Sequence, residues 1–292
     1  MELGSLGVWY FTETMDAPQA GEFASRLEGL GYAALWLPET LGRNPFAHAA
    51  YLFTQTERLV LATGIANIYH RHPGMTKQSQ YTLAEQSGDR FLLGIGVSHA
   101  PLVAGVRGLE YGKPVAAMRA YLEVMEASPY SSVPPAATPR TVIAALGPKM
   151  LALAAEKADG AHPYWTTPEH TAMAREILGP DKMLCVEQKV CLEVDRQKAR
   201  EAARQALAMY AGLPNYANNW KRLGFDDDDI AHGGSDALID ALVAWGDEEA
   251  IRDRVKAHRD AGASHVCIQP LKAGGAPGEV DWKLLEALAP RA

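Results

Sequence analysis

The stretch PGMTKQSQYTLAEQSGDRFLLGIGV, residues 73–97, holds the unit whose repetition decides the fold. Its first half reads as a helix from about Pro73 to Ser87, and its second half as a buried strand over Arg90–Val97. The same alternation extends in both directions. Upstream lie strands over Leu6–Phe11, Tyr32–Leu37 and Leu59–Ile65, separated by helices near Asp16–Leu30 and Pro45–Thr56. In the first helix Asp16 is the cap, Pro18 stands in the first turn, and Phe23, Leu27 and Leu30 share one face. Downstream, strands are predicted at Thr141–Ala145, about Gly160–Pro163, about Glu187–Val194 and Ser264–Gln269. Helices lie between them, and a long helical region runs from Arg196 to Ala244. Eight strands with helical connections predict a parallel (β/α)₈ TIM barrel, read as one domain over residues 1–292. A doubly wound open sheet is the alternative, and it normally carries a nucleotide fingerprint.

The 292 residues suffice to bury a large core without a disulfide or metal staple. The net charge of −7 argues against a broad nucleic-acid surface. Cys185, Cys191 and Cys267 are odd in number and form no CxxC, so they read as small apolar residues rather than a disulfide framework or zinc site. MELGSLGVWYF has no basic n-region, and no apolar run is long enough to span a bilayer. These features make a cytoplasmic protein the expectation, with no membrane or nucleic-acid partner.

In such a barrel the chemistry sits at the C-terminal ends of the strands. The rim there is aromatic and apolar (Trp9, Phe11, Tyr164, Trp165) with a few polar groups, which suits a flat cofactor better than a sugar phosphate. Two segments have the means to hold phosphate. GIGVSH (94–99) offers glycines and Ser98, but His99 stands where a dinucleotide fingerprint needs its third glycine. Gly147 and Pro148 start a helix whose free N–H groups point at the rim, with Lys149 adding charge; a simple chain turn explains them equally well. His70-Arg71-His72 has no carboxylate at ligand spacing, so no metal is expected there, while Arg71 can reach an acidic or phosphorylated tail. The run Asp226–Asp229 reads as a solvated loop and helix cap. His99 and His162 are lone rim histidines, more often structural than catalytic.

GYAALWLPE (31–39), LATGIAN (61–67), LAEQSGDRFLLGIGV (83–97), AALGPKML (144–151), ADGAHP (158–163) and AGASHV (261–266) follow one another along nearly the whole chain. In that order they resemble the luciferase-like monooxygenase superfamily, specifically its F420-dependent oxidoreductase branch, to which the TGIA segment from Thr63 is similar. The resemblance implies a TIM barrel with a deazaflavin or flavin across its mouth, small-molecule substrates, and members that are often homodimers. It implies a non-proline cis peptide after strand three, at Gly64–Ile65, with Ala66 and Asn67 beside the ring. It further implies phosphate contacts from Gly96, Val97 and Ser98 and from Gly147, Pro148 and Lys149. Some alcohol-oxidising relatives carry Asp-His after strand two, with histidine as base. Here the pair is Glu39-Thr40, which leaves proton transfer to Glu39, His99 or His162.

The function this implies is hydride transfer between F420 and a small organic substrate. An FMNH₂-dependent monooxygenase using O₂ shares the fold and much of the site. A deazaflavin carrier without turnover fits the missing histidine at position 40. A metal-free phosphate-binding isomerase is opposed by the aromatic rim.

Overall fold

The computed structural model describes residues 3–276 and 278–290. The strands are β1 (Leu6–Trp9), β2 (Ala34–Leu37), β3 (Val60–Thr63), β4 (Ala66–Asn67), β5 (Phe91–Gly96), β6 (Thr141–Ile143), β7 (Gly160–Ala161), β8 (Met183–Cys191), β9 (Val243–Trp245) and β10 (His265–Pro270). All their pairings are parallel. β10 lies between β8 and β1, with Gln269 opposite Lys189 on one side and Ile268 opposite Val8 on the other. The sheet therefore closes on itself, and closure removes its edges. β3 and β4 share one of the eight positions in this barrel.

Helices α1 (Ala17–Gly29), α2 (Pro45–Phe53), α3 (Pro73–Ser87), α4 (Pro114–Ala127), α5 (Pro148–Lys157) and α6 (Pro168–Leu178) each start with proline in the first turn. There the missing N–H costs nothing, because that position has no helical acceptor. Asp16 and Gln19 form a reciprocal capping box on α1, and Asn44 and Thr167 cap α2 and α6. Most helix-facing strand residues, among them Val8, Leu35, Leu61, Leu93 and Ile268, join the main apolar core. A separate cluster inside the barrel contains Trp9, Trp36, Ala62, Leu92, Cys185 and Cys267.

Between β8 and β9 the chain makes a cap of α7 (Arg196–Ala211), α8 (Pro214–Arg222), α9 (Asp227–Ile230) and α10 (Asp236–Leu242). The cap has its own core, including Ala203, Leu207, Tyr216, Trp220 and Leu238. Trp220 is fully buried, and its Nε1–H donates to the carbonyl of Trp165, just past β7, at 3.1 Å. Tyr216 meets His99, just past β5, with ring centroids 5.6 Å apart. The cap thus closes the C-terminal end of the barrel on the β5–β7 side. α11 (Glu248–Asp260) and α12 (Trp282–Ala287) complete the outer layer.

Several strands are a residue or two shorter than read in the sequence, and three further differences bear on the site. The seventh barrel strand begins at Met183 rather than Glu187 and ends at Cys191 rather than Val194, and it is buried along its whole length, Glu187-Gln188-Lys189 included. The third strand is not continuous to Ile65. It stops at Thr63 and resumes as β4 after a cis Gly64–Ile65 bond. The helical region from Arg196 to Ala244 ends in a strand, β9, which pairs with the far end of β8 where the two-residue β7 has run out. No helix among the described residues is long and apolar enough to cross a membrane.

Candidate active site

The break in the third strand is built into its neighbours. A Cβ on Gly94 would lie 2.0 Å from the Thr63 carbonyl oxygen, and one on Gly96 would lie 2.6 Å from Ile65 Cδ1. Both glycines therefore make room for the bulge, and Gly96 presents its bare face to Ile65. Thr63 Oγ1 donates to the Gly94 carbonyl at 2.6 Å and accepts its N–H at 2.8 Å. From the barrel axis, Trp9 Nε1–H donates to the Gly64 carbonyl at 2.9 Å.

Glu39, just past β2, supports the bulge from the next position. Its carboxylate accepts the Asn67 backbone N–H at 2.7 Å and two hydrogen bonds from the Arg71 guanidinium. His70 Nδ1 approaches to 3.4 Å. Burial alone would raise this carboxyl. Arg71 and the Asn67 N–H outweigh that effect and hold it below the usual carboxylate range. Arg71 is thereby committed to Glu39. Asn67 folds its own loop: its Oδ1 accepts the Tyr69 N–H at 3.0 Å and its Nδ2 meets His70 Nε2 at 3.1 Å.

Below the bulge stands a column of rings. His162 lies flat on Trp36, with centroids 4.3 Å apart and planes 14° apart. Its Nδ1 is 2.7 Å from the Cys185 carbonyl, which only accepts, so Nδ1 carries the proton. Nε2 has a free lone pair and lies 3.2 Å from where a Cβ on Gly64 would be. Burial pushes this imidazole down to about 4, so it is neutral at physiological pH. Trp36 Nε1–H donates in turn to His265 Nε2 at 3.1 Å, and His265 Nδ1–H donates to the Gly4 carbonyl at 2.8 Å.

Beside this column lies a buried charge pair. Lys189 Nζ sits 3.0 Å from Glu187 Oε1 and 3.0 Å from Gln269 Oε1, with both charged side chains 1% exposed. The ammonium also stands 3.7 Å from the Tyr164 ring centre and 3.8 Å from that of Trp165. Burial pushes Lys189 down and Glu187 up, each opposed by the partner's charge. Tyr164 connects this group to the mouth. Its hydroxyl donates to Gln269 Oε1 at 2.9 Å and shares a hydrogen bond with Tyr210 of the cap, while its ring packs 5.2 Å from Trp9. Tyr164 itself is only partly buried.

The remaining predicted residues follow β5 and β6, which lie between the bulge and β7 in the barrel. Val97, Ser98 and His99 follow β5. Ser98 takes a left-handed backbone (φ 52°), and its carbonyl accepts from Tyr111. His99 is half-buried; burial pushes it down, against the opposing effect of a side-chain hydrogen bond to Asn215. Gly147 caps α5 without any side-chain hydrogen bond, and Pro148 and Lys149 follow it, exposed. Glu187, Lys189, Asn219 and Arg222 were missed in the sequence. The signal for the first two was a pair of opposite charges inside the apolar run MLCVEQKVC.

Seven buried side-chain polar atoms lack a hydrogen-bond partner among the described residues. Five of them, on His162, Trp165, Thr166, His170 and Asn219, belong to this end of the barrel or its cap. Buried polar atoms are almost always paired, so their concentration marks where a polar ligand or ordered water belongs.

The sequence profile of the luciferase-like monooxygenases matches residues 3–265. The chain belongs to that family. Among curated relatives, a Mycobacterium tuberculosis protein provisionally named as a coenzyme F420-dependent oxidoreductase is 26% identical, over 92% of this chain and 94% of the other. Two solved structures share the fold. The coenzyme F420-dependent tetrahydromethanopterin reductase of Methanopyrus kandleri has a TM-score of 0.77 at 18% identity, covering 98% of this chain and 97% of the other. The oxygenating constituent of 3,6-diketocamphane monooxygenase from Pseudomonas putida, in complex with FMN, has a TM-score of 0.70 at 15% identity, covering 98% and 96%. As a family member the chain is an oxidoreductase.

Proposed function

We propose that the protein is an F420-dependent oxidoreductase that transfers a hydride between the deazaflavin and a small organic substrate. The observation that carries the reading is the set of unpaired buried polar atoms at the mouth of the barrel and in its cap, with His162 Nε2 turned toward the bulge, at the end where family members hold their cofactor. Bound F420 supplies a ring carbon that gives or takes a hydride. Gly64, Ile65, Ala66 and Asn67 support the ring, while Ser98 and the Gly147–Lys149 turn face its phosphate.

A hydride delivered to carbon must be matched by a proton at the neighbouring heteroatom. Glu39 is a poor source, because Arg71 holds it as a carboxylate. His162 has its one proton committed to Cys185, so Nε2 can only accept. We assign proton transfer to His99, the remaining candidate of the three, because the Tyr164 hydroxyl already donates its one proton to Gln269 Oε1. Glu39 and Arg71 then act as positioning residues. We further propose a cytoplasmic enzyme, working as one barrel-and-cap unit over the whole chain and assembling as a homodimer.

Parallel titrations of the purified protein with F420 and with FMN test the reading by quenching of intrinsic fluorescence. Tight F420 binding with weak FMN binding is expected. Tight FMN binding would overturn it for a flavin monooxygenase, with oxygen consumption as the next assay. F420 binding with no change in cofactor redox state across a panel of hydride donors and acceptors would make the protein a carrier. Binding of neither would remove the cofactor assignment.

A further inference from the structure

The cap carries an arginine toward the α5 N-terminus. Arg222 ends α8, and its Nη2 lies 3.5 Å from where a Cβ on Gly147 would sit. Any side chain at position 147 would therefore touch the guanidinium. Among the described residues no carboxylate pairs with Arg222; it donates only to Asn219 Oδ1, at 3.1 Å. Burial lowers Arg222 with no acidic neighbour to offset it. Below it, α5 is ten residues long and opens at Gly147 without a side-chain cap, so its first-turn N–H groups carry the positive end of the helix dipole unanswered.

A second observation is independent of the helix. Asn219 is completely buried. Its Oδ1 orients Arg222, which leaves its Nδ2 as a donor with no partner. A buried amide that spends its acceptor on positioning an unpaired arginine, and keeps its donor free, matches an anion that takes up both. His170 links the same turn to the barrel. Its Nε2–H donates to the Leu146 carbonyl at 2.8 Å, one residue before the helix cap. The combination of guanidinium, amide and helix N–H groups has the donor chemistry of a phosphate group, with three or more acceptor oxygens to satisfy.

We infer that Arg222 and Asn219 of the cap close a phosphate site with the N-terminus of α5, so that a bound phosphate ester fastens the cap onto the barrel. The inference rests on the proposed cofactor reading to name the ester as the F420 side-chain phosphate; the site itself requires only a phosphate group. Its consequence is that a bound phosphate adds a link between α8 and α5 to those the cap already makes through Trp220–Trp165 and Tyr216–His99, and so steadies the cap.

The test compares two ligands with the same ring: F420, and the deazariboflavin that lacks the phosphate side chain. Affinities are measured by fluorescence titration for the wild type, Arg222→Met and Arg222→Lys, with a circular-dichroism melt of each variant to confirm folding. Arg222→Met should weaken F420 by about 10- to 100-fold, as for loss of charge-assisted hydrogen bonds, and leave the phosphate-free ring unchanged. Arg222→Lys should recover part of the loss. Limited proteolysis should show the cap protected by F420 but not by the phosphate-free ring. Equal F420 affinity in wild type and Arg222→Met overturns the inference, and so does an equal loss for both ligands. Inorganic phosphate separates the two ideas. If it raises the melting temperature of the wild type but not of Arg222→Met while F420 fails to bind, the site stands and the cofactor reading falls. If neither ligand affects the wild type, both fall.

Discussion

Mild acid should unfold this protein, and the histidines account for the magnitude. His48, His162, His170, His258 and His265 are between 0% and 8% exposed. Burial is the first cause in every case and pushes four of them to about 4 and His258 to about 3, from an ordinary 6.5. The hydrogen bonds explain why a proton is unwelcome. His265 Nε2 already accepts from Trp36, and His258 holds Thr171 Oγ1 and Gln188 Oε1 at 2.8 Å on its two nitrogens. The unfolded chain takes up these protons below pH 6.5, whereas the folded chain refuses them until about 4. Stability is therefore intact above 6.5 and falls as the pH drops through that window. At pH 5.5 each histidine costs about 1.4 kcal/mol, and five together cost about 7 kcal/mol. Glu187, raised by burial, works in the opposite direction, but it is one group against five. Since domains of ordinary stability hold about 5–15 kcal/mol, that loss removes half or all of it. Urea unfolding at pH 7.5, 6.5 and 5.5, followed by tryptophan fluorescence, measures the fall. A change below about 2 kcal/mol across that range would show that these imidazoles accept protons in the folded state, and the tautomers assigned to His162 and His265 would have to be abandoned.

Three substitutions probe the bulge and the charge pair. Glu39→Gln strands Arg71 and should cost about 3 kcal/mol in urea unfolding while weakening cofactor affinity; full turnover and unchanged stability would show that the ion pair supports nothing. Gly94→Ala places a methyl group 2.0 Å from the Thr63 carbonyl and should cost about 3 kcal/mol, whereas Gly29→Ala, with nothing within 4 Å, should be neutral or gain up to about 1 kcal/mol; similar melting temperatures for the two would contradict the packing at the bulge. Lys189→Met leaves Glu187 buried without its cation and should cost about 3–5 kcal/mol, most of which the Glu187→Gln, Lys189→Met double variant should restore; a double variant no more stable than the single one would mean that the two charges are not coupled.

The barrel was legible because its evidence is local. Each α-helix announces itself with a capping side chain, a first-turn proline or both, as at Asp16 and Pro18, and most strands with a short apolar run. What was not legible depends on which strands become neighbours. Glu39 reads as a rim carboxylate free to move protons until β2 and β3 are laid side by side; then Arg71, 32 residues later, occupies it. The glycines of GIGVSH read as phosphate contacts. Only with the adjacent strand in place is it visible that Gly94 and Gly96 also leave room for Thr63 and Ile65. β8 reads in the sequence as starting at Glu187, whereas Met183 and Leu184 before it pair with β7 and Cys185 and Val186 with β10, pairings that exist only once the barrel closes. Arg222 and Gly147 are 75 residues apart and on different elements, and nothing local to either points to the other.

The polar interior and the acid sensitivity have one origin. A TIM barrel fills its centre with side chains, usually branched aliphatic ones, which would be the more stable choice. Here the axial positions nearest the mouth are instead Trp9, His162, Glu187, Lys189 and Gln269, over Trp36 and His265. Every polar contact in this group fixes a direction: Trp9 aims at the Gly64 carbonyl, His162 turns its bare Nε2 toward the bulge, and Gln269 fixes the Tyr164 hydroxyl. Aliphatic packing would fill the same volume but leave these directions undetermined. A site that transfers a hydride depends on such fixed orientation, because small displacements of the reacting groups cost orders of magnitude in rate. The histidines that make the fold vulnerable below pH 6.5 are thus in part the ones that keep the mouth rigid above it. Replacing His162 or His265 with leucine should flatten the acid transition at the expense of the bulge they support.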